Sequence, residues 1–139
     1  MGKIWYPQSA QDYGLTREQY YATIWFIRDY DNMKEEAQNL LDQSPIHDGQ
    51  PKGNNTSDPT AAAAERRERV LRNIKCVDDA LLTVPEDYRR AVFRNVAYQV
   101  PNYKLAPTAL ISDTTLRYWR VKFIAEVARN RERAEWRSY

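Results

Sequence analysis

A lone histidine, a lone cysteine and two pairs of adjacent acids are the residues here whose types could make or break bonds. Their settings argue against it. His47 stands beside Asp48 in a stretch rich in Pro, Gly, Asn and Ser, where nothing rigid would hold a general base against a substrate. A solvated loop residue is its expected role. Cys76 falls inside a predicted helix next to Val77, the setting of a buried structural thiol rather than an activated nucleophile. Asp78-Asp79 and Glu86-Asp87 are neighbours on predicted helices, where adjacent side chains diverge by about 100° and do not converge on one metal or one proton. The glycines at 2, 14, 49 and 53 match neither a Walker loop nor a dinucleotide fingerprint, and no Cys/His cluster offers zinc ligands. The expectation is a protein without catalytic residues, metal or cofactor.

Recognition of nucleic acid fits better. After Ser112 or Asp113 as cap, Asp113, Thr114, Arg117, Tyr118 and Val121 share one stripe of a helix expected over about 113–134. Leu116, Trp119, Phe123, Ile124 and Val127 form the stripe suited to packing, and Arg120 and Lys122 flank the outward one. A recognition helix needs this division, with its first turns at base edges and its flanking cations and hydroxyls on phosphate. Arg117 has the side chain for a bidentate contact to guanine, a contact that supplies roughly 1–3 kcal/mol of discrimination. A basic amphipathic helix with a solvated face has the same charge pattern.

Several elements must position that helix. Tyr20, Ile24, Ile27, Tyr30, Met33, Ala37 and Leu41 recur in steps of 3 or 4, which predicts one long amphipathic helix from Thr16 to about Asp42. Residues 43–58 collect the residues that interrupt regular structure and read as a linker or loop. Ser57 and Asp58 as caps, Pro59 at the first helical position and the Ala61–Ala64 run open a helix to about Leu82, with Val70, Ile74, Val77 and Leu81 inward. Pro85 with Glu86 and Asp87 opens another to about Gln99, burying Tyr88, Val92, Phe93 and Val96, and Pro101 ends it. Pro107 removes a backbone donor and disfavours helix at Ala106. The segment from Asn102 to Ile111 is therefore expected to hold a helix beginning only near Ala106–Pro107, or a loop at Asn102–Lys104. No segment alternates as a strand.

These elements compose an all-α small helical bundle: an N-terminal amphipathic region (1–42), the linker (43–58) and a C-terminal helical unit (59–139) ending in a helix-turn-helix-like pair. With 139 residues the chain has room for one small domain or two very small units. A single cysteine permits no internal disulfide. No apolar run is long enough for a membrane span and the start lacks a signal-peptide core, so a cytoplasmic protein is expected. The net charge of +2 conceals a gradient. Residues 1–58 carry 5 basic and 9 acidic side chains, whereas residues 101–139 carry 8 and 4, so the C-terminal end is the one suited to a polyanion.

Residues 111–124, Ile-Ser-Asp-Thr-Thr-Leu-Arg-Tyr-Trp-Arg-Val-Lys-Phe-Ile, resemble the closing helix of the RinA-like phage transcriptional activators. Ile111, Ser112, Thr115, Leu116, Trp119, Arg120, Lys122, Phe123 and Ile124 stand where that family has its characteristic apolar, hydroxyl, aromatic and basic residues. Ser57-Asp58-Pro59-Thr60 followed by the alanine run, and Leu81-Leu82-Thr83-Val84-Pro85 before Tyr88-Arg89, are similar to further junctions of the family. The likeness covers roughly residues 20–130. It implies a helix-turn-helix like that of sigma factor region four and an activator of late genes. Its partners would be double-stranded DNA and host RNA polymerase. Ser112 would then cap the helix and Asp113, Thr114, Arg117 and Tyr118 would read bases, with Thr115 and Val121 on the same helix. Arg120, Lys122, Arg129 and Lys104 would hold phosphate.

A two-fold DNA site requires a dimer, and the N-terminal helix, with Trp25, Phe26 and Ile27 apolar on more than one face, offers a means of homo-oligomerisation. Folding back on its own bundle is the expectation for most of that stripe, and association for Trp25. Two other readings remain open. One is a helical adaptor that binds polymerase or another phage protein and never reads DNA; the other is a small DNA-packaging subunit.

Overall fold

The computed structural model describes residues 6–42, 59–109 and 111–137. The 43–58 linker, with His47 and the caps Ser57 and Asp58, lies outside them. Seven α-helices and no strand occur among the described residues: α1 (Gln8–Asp12), α2 (Arg17–Arg28), α3 (Tyr30–Asp42), α4 (Pro59–Leu81), α5 (Glu86–Ala97), α6 (Asn102–Ala109) and α7 (Asp113–Arg137). None is long and apolar enough to cross a membrane.

The all-α expectation holds, and most inward faces are the ones the periodicity marks. Tyr20, Ile24 and Ile27 of α2, Val77 of α4, Val92 and Val96 of α5 and Leu116, Phe123, Ile124 and Val127 of α7 are completely buried in one core. Helices from residues 1–42 thus share their core with those from 59–137: α2 packs on α5 and α7, and α3 on α4. Met33, Ala37 and Leu40 with Val70 and Ile74 make a smaller second core between α3 and α4.

Three expectations are corrected. The helix expected over Thr16–Asp42 is two helices meeting at Asp29, whose carboxylate accepts from Asn32 Nδ2 at 3.0 Å. Past this joint Leu40 faces inward and Leu41 outward. The first turn of α2 is held by a reciprocal capping box between Thr16 and Gln19. A further helix, α1, precedes it. Gly14 at φ +77° closes α1, the Gly14 N–H bonding Gln11 O and the Leu15 N–H bonding Ala10 O, which turns the chain so that Ala10 and Leu15 both enter the core. Lastly, α6 runs unbroken from Asn102 through Pro107 to Ala109. Pro107 forfeits one N–H bond within α6, and the Asn95 clamp described below holds the start of that helix.

The turn from α4 to α5 is tied by Arg89, whose Nε donates to Leu81 O at 3.0 Å and Val84 O at 2.8 Å. Asn130 Nδ2 donates to Cys76 O at 3.0 Å and joins α7 to α4.

Candidate nucleic-acid interface

Helix α6, the residues 110–112 and helix α7 follow one another as helix, short turn and helix. Ser112 caps α7: its Oγ accepts the Thr115 N–H at 3.1 Å and its hydroxyl donates to Thr115 Oγ1 at 2.8 Å. Both hydroxyls are engaged in the cap. Ile111, buried, anchors the turn in the core.

Asn95 fixes the angle between the pair. This buried amide donates from Nδ2 to Val100 O at 2.9 Å and to Asn102 Oδ1 at 3.1 Å, and its Oδ1 accepts from Arg120 Nη1. One side chain on α5 thereby holds the α5–α6 turn, the start of α6 and the third turn of α7. Sequence reasoning missed it, although an Asn between apolar helical positions six residues before Pro101 is the signal that could have found it.

The outward residues of α7 are Ser112, Asp113, Thr114, Arg117 and Tyr118, all exposed, with Thr115 half-buried. Tyr118 stands edge-on against Trp119 at 4.9 Å between ring centres. From Asp113 to Tyr118 the helix advances about 7.5 Å. At about 3.4 Å per base pair that is room for two or three base pairs.

Val121 is not part of this surface. It is 2% exposed and belongs to the same core as Ala10 and Leu15, because α1 and the turn after it pack on α7. Tyr13 lies beside Tyr118 and Glu126, and its burial, then those neighbours, raise its phenol pKa. The stripe assigned to DNA from the sequence is therefore cut short after its second turn by a helix the sequence reading did not include.

The four cations expected on phosphate are not equivalent. Lys104 is exposed on α6, with its ammonium 6.0 Å from the Tyr103 ring. Lys122 is half-buried on α7. Arg129 lies about 24 Å along α7 from Asp113, and it pairs with Glu126 at 3.3 Å and borders a groove with Tyr13, Gly14 and Gln19. That remoteness removes it from a surface at the start of α7. Arg120 is half-buried and engaged with Asn95, so part of its donor set is structural.

Residues considered for chemistry have local partners. Cys76 is buried, and desolvation raises its thiol above the ordinary value. Asp78 accepts from Tyr30 Oη at 2.6 Å while Asp79 pairs with Lys75 at 3.1 Å, so these adjacent acids serve different neighbours. Burial, reinforced by the bond to Asp78, pushes the Tyr30 phenol well up.

Comparison of the chain with models of protein families, with curated sequences and with solved structures gives no match.

Proposed function

We propose that the protein is a DNA-binding regulator of the RinA-like phage type, an activator of late genes working in the host cytoplasm on a promoter-proximal duplex with RNA polymerase as its protein partner. The observation that carries the reading is the exposed, polar start of α7, presented by a three-residue turn after α6 and braced by Asn95. Asp113, Thr114, Arg117 and Tyr118 read two or three base pairs per subunit, and Lys104, Arg120 and Lys122 hold the flanking phosphates. So short a window needs a second subunit for adequate specificity, since each base pair contributes only about 1–3 kcal/mol. The test is a binding series at fixed salt. Arg117→Ala removes preference for one base position, whereas Lys122→Ala weakens binding alike on every sequence. Equal loss of preferred and random duplex in Arg117→Ala contradicts the reading.

An adaptor that reads no DNA is favoured by one observation, Trp25, which is 60% exposed on α2 while Tyr20, Ile24 and Ile27 are buried within the chain. Under that reading Trp25→Ala abolishes partner binding and Arg117→Ala changes nothing.

A further inference from the structure

Arg28 closes α2 in the sequence of this chain, and Arg120 lies in the third turn of α7, 92 positions later. Both guanidinium groups converge on the last turn of α5. Arg28 Nε donates to Val96 O at 3.2 Å, and Arg120 Nη1 donates to the side chain of the preceding residue, Asn95. Among the described residues neither has a carboxylate within ion-pair distance; the ion pairs of this region of the fold lie elsewhere, at Lys75–Asp79 and Arg129–Glu126. Two like charges are thus held half-buried side by side. Arg28 loses basicity first through burial and then through the charge of Arg120.

The end of α5 neutralises only part of this charge. A helix C-terminus carries about half a negative unit, against two positive ones. A second polar group at the same place is also unsatisfied. Tyr20 is completely buried, its hydroxyl makes no hydrogen bond, and the Arg120 guanidinium is the charge beside it. Arg28 is oriented from outside by Trp25, whose exposed ring lies 4.9 Å from the guanidinium carbon. A cation pair fixed by main chain, amide and indole, with donors to spare and no counterion, has the composition of an oxyanion clamp, and the guanidinium fork matches phosphate geometry.

We propose that Arg28 and Arg120 together hold one phosphate group, which in the DNA-binding reading, on which this inference rests, is a backbone phosphate beside the bases read by the start of α7. Helix α2 therefore takes part in binding and is not only a support for the bundle. The clamp adds a contact from a part of the chain outside the helix-turn-helix.

Wild type, Arg28→Gln and Arg28→Lys are compared by anisotropy titration of labelled mixed-sequence duplex DNA between about 50 and 200 mM salt, and by calorimetric titration with inorganic phosphate. Helical circular dichroism confirms that each variant is folded, and Arg28→Lys keeps the charge while losing the fork. Loss of one backbone contact lowers the slope of log K against log salt by about 0.9 in Arg28→Gln, equally on all sequences, with partial restoration in Arg28→Lys; that result supports the clamp on DNA. Phosphate binding that is lost in Arg28→Gln, with the DNA slope unchanged, supports the clamp but assigns it to a free phosphate ligand. A wild type that binds DNA with a slope unaltered in Arg28→Gln, and that takes up no phosphate, overturns the clamp and leaves the DNA reading standing. A wild type that binds neither overturns both.

Discussion

Replacing Asn95 by alanine removes, in one step, the three bonds that lock α5, α6 and α7 together. Two are neutral amide bonds, contributing about 1 kcal/mol each, and the third joins a guanidinium, for which about 1.5–3 kcal/mol is typical. Asn95 is only 9% exposed. Val100 O and the Arg120 guanidinium would therefore lose partners in a place that water reaches only from one edge, and the sum, less partial rehydration, is about 3 kcal/mol. Against a total stability of about 5–15 kcal/mol that is a large loss, equivalent to a fall in Tm of roughly 10 °C. Urea unfolding monitored by far-ultraviolet dichroism measures it, with an unchanged m-value expected because the exposed area on unfolding is the same. Asn95→Asp separates the contributions, since it keeps an acceptor for Arg120 and loses the donors to Val100 and Asn102. A loss under 1 kcal/mol for Asn95→Ala, or no difference between the two variants, would refute the clamp.

Other changes have definite expected outcomes. Val121→Ala should cost about 2 kcal/mol through the cavity it leaves while leaving DNA affinity of the folded protein unaltered; loss of binding without loss of stability would put Val121 back on the surface. Ser112→Ala should cost about 1 kcal/mol as a lost N-cap, read from the same melts. Gln99 sits at φ +58°, so Gln99→Gly should stabilise by about 0.5–1 kcal/mol, and a decrease in the urea midpoint would contradict this. Tyr30 and Tyr98 donate to Asp78 and Asp31 and have raised phenol pKa values, Tyr30 chiefly through burial and Tyr98 chiefly through its bond. The unfolded chain ionises near pH 10, before the folded one, so their stabilisation is complete below pH 10 and declines above it. Tyr30→Phe should lower stability at pH 8 and reduce its fall between pH 8 and 11; an unchanged fall would refute the assignment.

Much of the bundle was legible because burial in helices leaves a period. Val70, Ile74 and Val77, or Phe123, Ile124 and Val127, show in the spacing alone which face turns inward. The break at Asp29 was not legible, since neither Gly nor Pro marks it, and without it Leu40 and Leu41 are equivalent choices on the helix. Nor was the fate of Pro107, because local propensity favours a break there while Asn95, on another helix, holds the first turn of α6 in place. At the candidate interface, Ser112 as cap and Arg117 as an exposed residue follow from helix geometry. Val121 lies on the same stripe by angle, and only the packing of α1 buries it. Gly14 was the available clue to that packing, as a helix stop at a point where no helix was expected.

The central claim, that the start of α7 reads sequence, is tested most directly by selection from a random duplex-DNA pool with the purified protein at near-physiological salt, and with Arg117→Ala in parallel. The account predicts a recovered motif of two or three specified base pairs per half-site, with one position relaxed in the variant and two-fold symmetry if two subunits bind. A pool that shows no enrichment with the wild-type protein, or a motif that Arg117→Ala recovers unchanged, would contradict it.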